Sequence, residues 1–144
     1  MAGCDSIIRS FNIETGNTKM YQGHRGWVYA LEIHEERLYS GGDDRSIIIW
    51  DIETTKILET LLGHDNGITS ISFAFHDLYT GSFDHHVICW DLQEINERIE
   101  EKQELRHADV ESRRIELYNK LMNVKSKKKG KKGGKGAKGK GKKK

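Results

Sequence analysis

The chain has few of the features that mark secreted, metal-binding or membrane-spanning proteins. Its 144 residues include two cysteines, Cys4 and Cys89, which form no CxxC motif and no Cys-His ligand spacing. We therefore predict neither a disulfide framework nor a metal site nor a cofactor, and we expect a reducing compartment, the cytoplasm or the nucleus. No apolar run is as long as a membrane-spanning helix requires and no secretory leader is recognisable, so we expect no transmembrane segment.

Catalytic motifs are also missing from the sequence. It contains no glycine-rich phosphate loop, no HExxH and no GxSxG. His85 and His86 lie near Cys89 and Asp91, but neighbouring residues of a strand point to opposite faces and cannot converge on a substrate. Histidines in turns, His34 among them, are expected to be solvated. We therefore predict that the protein is not an enzyme.

What the chain does contain is a repeat whose anchors recur at a constant spacing. Gly23-His24 and Gly63-His64 each run forward to a Trp-Asp pair, the first ending at Asp51 and the second at Asp91. Between these anchors, LEIHEERLYSGGDDRSIIIWDIETTK aligns without a gap with ISFAFHDLYTGSFDHHVICWDLQEIN. A repeat that extends through whole segments favours a binding surface over a reaction.

Each repeat predicts short strands, because apolar and polar residues alternate between clusters of turn residues. The predicted strands are residues 27–33, 38–41, 47–50 and 57–62 in the first repeat, and 68–73, 78–81 and 87–90 in the second. A fourth strand is not predicted in the second repeat. A degenerate third copy lies upstream, with Phe11-Asn12 at the place of the Trp-Asp pair.

These anchors resemble the WD-repeat β-propeller family, in which each repeat of about 40 to 45 residues forms a four-stranded antiparallel blade. The resemblance covers about residues 2–92 and implies an all-β partial propeller. Its blades would be incomplete at 1–22, full at 23–62 and incomplete at 63–92. Closed propellers have about four to eight blades. We therefore expect the C-terminal part of a larger propeller, a fragment from a wrong start, or a piece completed by a second chain or by self-association.

The resemblance further implies one buried hydrogen-bond tetrad in each of the last two blades. The tetrads would be His24, Ser40, Asp44 and Trp50 in one blade, and His64, Thr80, Asp84 and Trp90 in the next. Imidazole, hydroxyl and indole groups supply the donors, and a turn carboxylate accepts. Such a buried network stabilises the fold when all its members are satisfied.

Loops on one face of a propeller would contact other proteins or peptides, as the same resemblance implies. The candidate contact residues are Arg25, Trp27, Asp43, Arg45, Asn66, Phe83 and His85. Trp27 is either an exposed hot spot for binding or a residue packed within the first strand of its blade.

After Asp91 the composition changes and predicts a helix over residues 93–124. This segment lacks glycine and proline, and Asp91 with Glu94 has the spacing of a capping box. Its apolar stripe is thin at Ile95 and Ile99 and fuller later, at Val110, Leu117, Leu121 and Val124. Three alternatives are open: the helix docks on the propeller over the edge left by the missing strand, binds a partner, or is solvated.

Residues 125–144 predict a disordered tail, since they contain 12 lysines, 6 glycines and no apolar residue larger than alanine. Without those charges the first 124 residues have a formal net charge of −10. Candidate polyanion-binding residues are Lys127, Lys128, Lys129, Lys131 and Lys132. The tail could solubilise the protein or target it to the nucleus, bind RNA, DNA or the ribosome, or bind an anionic membrane surface. The main functional prediction is a protein-interaction scaffold, and nucleic-acid or ribosome association through the tail is the alternative.

A salt titration distinguishes these roles of the tail. If all twelve lysines contact duplex phosphates, the logarithm of the binding constant falls with the logarithm of salt concentration at a slope of about −11, since each contact releases about 0.9 counterion. Fluorescence anisotropy with labelled duplex DNA measures this slope, and deletion of residues 125–144 is the control. A slope shallower than about −4 would show that most of the lysines make no phosphate contact.

Overall fold

The computed structural model describes residues 5–129, with side chains as far as Leu121, and in this part of the chain nine strands are followed by one long helix. The strands are β1 (Ile7–Phe11), β2 (Thr18–Gln22), β3 (Val28–His34), β4 (Arg37–Gly42), β5 (Ser46–Asp51), β6 (Ile57–Leu62), β7 (Ile68–Ala74), β8 (Asp77–Ser82) and β9 (Val87–Asp91), and the helix is α1 (Leu92–Lys129). All seven predicted strands of the two repeats are present, each within one residue of its predicted ends. The chain divides after Glu100 into two compact units.

Three antiparallel sheets of two, four and three strands form the first unit. The first sheet is β1-β2, the second is β3-β4-β5-β6 and the third is β7-β8-β9. The second and third sheets have the same register, since Ser40 lies opposite Ile48 and Thr80 opposite Ile88. A bulge near the start of β3 recurs near the start of β7. The fold is therefore mostly β, in antiparallel sheets built from one repeating plan.

Strand β5 shows how one strand contributes to two cores. Successive side chains of a strand point to opposite faces, and here both faces are apolar. Ile47 and Ile49 face the third sheet, where they pack with Ile68 and Leu78. Ile48 and Trp50 face the first sheet and are buried with Ile8, Tyr21, Val28 and Leu38. Strand β5 is covered on both sides, and it therefore reads as a run of apolar residues.

The first turns of α1 complete the core between the second and third sheets. Asp91 caps the helix, because its Oδ1 accepts the backbone N–H groups of Gln93 at 2.7 Å and Glu94 at 3.3 Å. Leu92, Ile95 and Ile99 then lie on one helix face and are buried. They join the cluster formed by Ile47, Ile49, Leu61, Ile68 and Leu78.

Polar contacts also attach this part of the helix to the second sheet. Arg37 donates a hydrogen bond to the side-chain oxygen of Asn96. The guanidinium of Arg98 lies 3.6 Å from the carboxylate of Glu59, which is buried on β6. A buried carboxylate without a cation or hydrogen bonds is costly, so Arg98 ties the helix to that strand.

The helix differs from its prediction in length and in where its apolar residues are buried. It begins at Leu92 and extends to Lys129, five residues past the predicted end, into the segment expected to be disordered. Lysine is a good helix former and its charge is favourable near a helix C-terminus, which accounts for the extension. Ile95 and Ile99 near the helix start are buried, although the sequence predicts only a thin apolar stripe at these positions. Residues 130–144, which are the rest of the predicted tail, lie outside the described residues.

The second unit contains the remainder of the helix, from Glu101 to Lys129. Its larger apolar side chains are exposed, among them Val110, Leu117 and Leu121. An i,i+4 ion pair joins Asp109 and Arg113 at 3.0 Å. Such exposed pairs add only a few tenths of a kcal/mol, so this stretch is held chiefly by its own backbone and by helix-forming residues.

Truncating the buried helix residues should destabilise the first unit. We expect Ile95→Ala and Ile99→Ala each to lower the free energy of unfolding by about 2–4 kcal/mol, because each leaves a cavity in the shared core. Urea denaturation followed by tryptophan fluorescence measures the change. The matched control is Leu117→Ala on an exposed part of the same helix, for which we expect a change of less than about 0.5 kcal/mol. Equal effects at the two places would contradict the docking of the first turns.

Candidate functional site

The second sheet contains a continuous hydrogen-bond network from its core to its loop edge. Trp50 Nε1 donates to Ser40 Oγ at 2.7 Å, and Ser40 Oγ lies 2.7 Å from His24 Nε2. The other ring nitrogen, His24 Nδ1, lies 2.9 Å from Asp44 Oδ2. Trp50, Ser40 and His24 are buried. The structure thus brings together the four residues that the resemblance implied.

The third sheet repeats this geometry. Trp90 Nε1 donates to Thr80 Oγ1 at 2.9 Å, which in turn lies 2.9 Å from His64 Nε2. His64 Nδ1 lies 2.8 Å from Asp84 Oδ2. Trp90 is only half-buried, because no described strand lies beside β9 in the way that β6 lies beside β5.

The direction of each hydrogen bond follows from the carboxylate at one end. Since a carboxylate only accepts, the histidine Nδ1–H donates to it, and the free Nε2 accepts from the serine or threonine hydroxyl. That hydroxyl oxygen then accepts the indole N–H. Every donor of the network has an acceptor, and no buried side-chain polar atom of the described residues lacks a partner. The network is therefore complete without water or a ligand.

The carboxylates also organise the loops at the end of each sheet. Asp44 accepts the backbone N–H of Arg25 at 2.8 Å and the hydroxyl of Ser46 at 2.7 Å. Burial alone would raise the pKa of Asp44, but these hydrogen bonds and His24 lower it below its ordinary value. Asp84 accepts the N–H groups of Asp65 at 2.9 Å and His86 at 2.8 Å. Its burial also opposes ionisation, yet these bonds and His64 hold its pKa well below the usual range.

All seven candidate contact residues lie exposed at this loop edge of the second and third sheets. The residues are Arg25, Trp27, Asp43, Arg45, Asn66, Phe83 and His85. Trp27 and Phe83 are each 54% exposed, so about half of each side chain is open to solvent at this edge. Arg45 and His85 occupy equivalent turn positions with φ of 64° and 68°, a left-handed conformation that few non-glycine residues adopt.

Tyr29 also lies at this loop edge, although it was not among the candidate contact residues predicted from the sequence. Its ring meets that of Phe83 edge to face at a centroid distance of 5.8 Å, and its hydroxyl donates to Asp43 Oδ1 at 3.2 Å. Gly67 approaches so closely that a Cβ there would lie 3.2 Å from the Asp43 Cα. Tyr29 therefore joins the loops of the two sheets into one surface. The exposed, outward position of Tyr29 in the alternating pattern of β3 was the available signal.

The opposite edge of the sheets is also partly aromatic. Phe75, in the turn between β7 and β8, is 96% exposed. The ring of His34 stacks on Phe73 at 4.2 Å with an interplanar angle of 12°, so the expectation that His34 is solvated is wrong. Stacking arises because β3 of the second sheet lies against β7 of the third, a contact between equivalent strands of two different repeats.

The described part of the chain does not show an assembled metal site or polyanion-binding site. No group of three or more metal-ligating side chains is found among residues 5–129. Lys127, Lys128 and Lys129 fall in the last turn of α1 with undescribed side chains, and Lys131 and Lys132 lie outside the described residues. No helix within the described part of the chain has both the length and the apolar character needed to cross a membrane.

Repeated antiparallel sheets with a His–Ser/Thr–Trp network and an Asp at the loop define a WD-repeat class of protein. The family profile described as WD domain, G-beta repeat, matches residues 16–51 and 55–91, just over half of the chain. The chain belongs to this family.

Curated relatives share the repeats over short segments. Nuclear distribution protein PAC1 of Scheffersomyces stipitis is 38% identical over 60 residues, covering 36% of this chain and 12% of that protein. THO complex subunit 6 of Homo sapiens is 31% identical over 64 residues, covering 42% and 19%. An uncharacterized WD repeat-containing protein of Schizosaccharomyces pombe is 36% identical over 73 residues, covering 47% and 20%. The chain thus spans a fifth or less of the length of these relatives.

Solved structures share the fold. The computationally designed Ika4 protein is similar with a TM-score of 0.58 and 27% identity, covering 63% of this chain and 57% of that one. The RRP9 WD40 repeats give a TM-score of 0.59 at 23% identity, covering 65% and 30%. The second likeness supports the fold alone.

Removing the acceptor of the network should destabilise the second sheet. We expect Asp44→Ala to lower the free energy of unfolding by about 1–3 kcal/mol, because it strands the N–H of His24 and that of the Arg25 backbone. Asp84→Ala should lower stability in the same direction. Thermal and urea unfolding measure both, with the exposed Asp65→Ala as the control. An unchanged melting temperature for Asp44→Ala would contradict a stabilising role for the network.

Acid should weaken the fold through the same carboxylates. Their folded pKa values lie below the unfolded value of about 3.9, so the unfolded state binds more protons in acid. Their contribution is therefore present above about pH 5 and is lost as the pH falls through 4 towards the folded values. Urea unfolding at steps from pH 6 to pH 2 measures this loss. The double variant Asp44→Asn, Asp84→Asn should start less stable and decline less steeply, and a parallel decline would refute the assignment.

Proposed function

We propose that this chain is a non-catalytic protein-interaction scaffold whose loop edge contacts a protein or peptide partner. The contact surface consists of the seven loop residues defined above together with Tyr29. The observation that carries the proposal is the contact of Tyr29 with both Phe83 and Asp43. This contact makes one continuous surface from loops that belong to two different repeats.

The chemistry of the loop edge suits a polypeptide partner. It presents three exposed aromatic rings, Trp27, Tyr29 and Phe83, which give large contact area at low entropic cost. Guanidinium groups at Arg25 and Arg45 and the carboxylate of Asp43 lie among them. Aromatic and arginine side chains are the commonest hot spots of protein interfaces, and charges of both signs favour selectivity over strong non-specific attraction.

We further propose that the two hydrogen-bond networks serve this surface as structural supports. The loop residue Arg25 is held through its backbone N–H by Asp44, and the Asp43 N–H is held by the Trp27 carbonyl at 2.8 Å. In the third sheet the Phe83 N–H donates to the Gly67 carbonyl at 3.0 Å. Loops fixed by their backbones present side chains with little ordering cost on binding.

A reducing location, the cytoplasm or the nucleus, is part of the same proposal. Cys89 is an exposed free thiol on β9. Exposed thiols persist in reducing compartments, whereas oxidising ones convert them to disulfides or oxidised forms. Mass spectrometry after alkylation of intact cells would detect Cys89 as the reduced thiol.

Peptide selection tests the proposed contact surface. We would select binders of the full chain from a displayed random peptide library and measure their affinities by isothermal titration calorimetry. For binders of the loop edge, Trp27→Ala and Phe83→Ala should each weaken binding at least tenfold, which is about 1.4 kcal/mol. Both side chains are half-exposed, so the variants should still fold, and circular dichroism checks that they do.

Phe75→Ala is the matched control, because Phe75 is a more exposed aromatic residue at the opposite edge of the third sheet. It should leave the affinities unchanged. If the selected peptides lose affinity with Phe75→Ala and retain it with Trp27→Ala, the contact surface lies at the other edge and the proposal is wrong.

A further inference from the structure

A small pocket lies at the opposite edge of the sheets, where two turns meet the start of the helix. The turn after β3 contributes Glu35, the turn after β7 contributes Phe75 and His76, and the first turns of α1 form the remaining side. Its volume is about 360 Å³, at the lower end of the range of about 300–1,000 Å³ for ligand sites. The pocket, whose described walls all belong to the first unit, therefore has room for one side chain of a partner.

The floor and one wall of this pocket are apolar and aromatic. Tyr39 and Leu92 line the floor, and both are buried. Behind the wall, the ring of Phe73 packs edge to face on Tyr39 at a centroid distance of 4.8 Å and stacks on His34 at 4.2 Å. Phe75 continues the wall outward and is 96% exposed. The aromatic surface thus runs from the buried floor to the solvent.

Hydrogen bonds hold the sides of the pocket together without a ligand. Arg37 of β4 donates to the side-chain oxygen of Asn96, which joins the helix to the second sheet. The backbone N–H of Leu92 donates to the carbonyl oxygen of His76 at 3.3 Å, which joins the helix to the third sheet. A pocket that is already formed binds its ligand at a low ordering cost.

The acidic groups on the rim give the pocket its charge preference. Glu35, Glu97 and Glu100 line it and are exposed, whereas no lysine or arginine is among the described residues that line it. The guanidinium of Arg37 is engaged by Asn96. Exposed carboxylates around an aromatic wall attract a cation and repel an anion. Charge complementarity therefore favours a cationic side chain as the occupant.

An arginine side chain suits both the wall and the rim. Its planar guanidinium stacks on an aromatic ring and also donates to carboxylates in a fork. Its methylene stem packs along apolar surface while the charged head stays near water. Lysine has a compact and strongly hydrated charge without a flat face. Carboxylates alone would accept either cation, so the aromatic wall decides between them.

We propose that this pocket binds an arginine side chain presented by a partner polypeptide. The guanidinium stacks on Phe75 and donates to Glu97, and the stem lies over Leu92. The site shares no residue with the loop edge. Contact with one side chain gives only about millimolar affinity, far weaker than that of selected peptide binders, so the two surfaces can be tested independently.

The probe is the capped tripeptide acetyl-Gly-Arg-Gly-amide, titrated into the isotope-labelled full chain and followed by NMR. We expect saturable shifts of the backbone amides of His76, Leu92 and Gln93, which lie at the pocket. The same peptide with citrulline, the neutral isostere of arginine, should bind about tenfold more weakly, because it lacks the charge. The peptide with lysine should bind about threefold more weakly, because it cannot stack.

Phe75→Ala and Glu97→Gln should each weaken binding of the arginine peptide by about fivefold. Both side chains are exposed, so the variants should fold, and unchanged amide shifts away from the pocket check that they do. The matched controls are Phe83→Ala at the loop edge and Glu53→Gln in the turn before β6, each an exposed residue of the same type. Both should leave the affinity unchanged.

Equal affinity for the arginine and citrulline peptides, or for the arginine and lysine peptides, would overturn the proposal. So would shifts that do not saturate at millimolar peptide. An equal loss of affinity with Glu53→Gln and Glu97→Gln would also contradict it, because the peptide would then respond to the overall charge of the chain and not to this pocket.

Discussion

The second sheet of this protein has two apolar faces, and burying both is the constraint on which the other features of the fold rest. Strand β5 shows that both faces are buried, since Ile47 and Ile48 point in opposite directions and neither is exposed. No sheet of this kind is stable alone, so each needs a neighbour on either side. The helix start meets the same need: Ile95 and Ile99 cover the part of the second sheet that the three strands of the third leave open.

The polar network is arranged within that apolar packing. A buried imidazole, hydroxyl and indole would each be costly without a partner, but in sequence they satisfy one another and end at the partly exposed Asp44. The carboxylate also holds the backbone of the neighbouring loop. Core and loop are thus coupled by one residue per repeat.

The proposed contact surface arises where two repeats meet. The loop edge becomes one surface because Tyr29 of the second sheet touches Phe83 of the third. It is aromatic and carries charges of both signs, the chemistry on which the proposal of a polypeptide partner rests.

The strands and the turns could be predicted from the sequence, because they depend on local alternation and on anchors that recur from one repeat to the next. The members of both networks were implied by the resemblance of those anchors to the WD-repeat family. The helix and its cap at Asp91 could be predicted from a run of helix-forming residues and from the spacing of Asp91 and Glu94. Which helix residues are buried could not, since Ile95 and Ile99 gain their neighbours from strands far away in the sequence. The contacts of Tyr29, His34 and Glu59 are likewise between elements, and periodicity within one element cannot specify them. Local pattern fixes which face of an element is apolar, whereas the partner of that face is a property of the assembled fold.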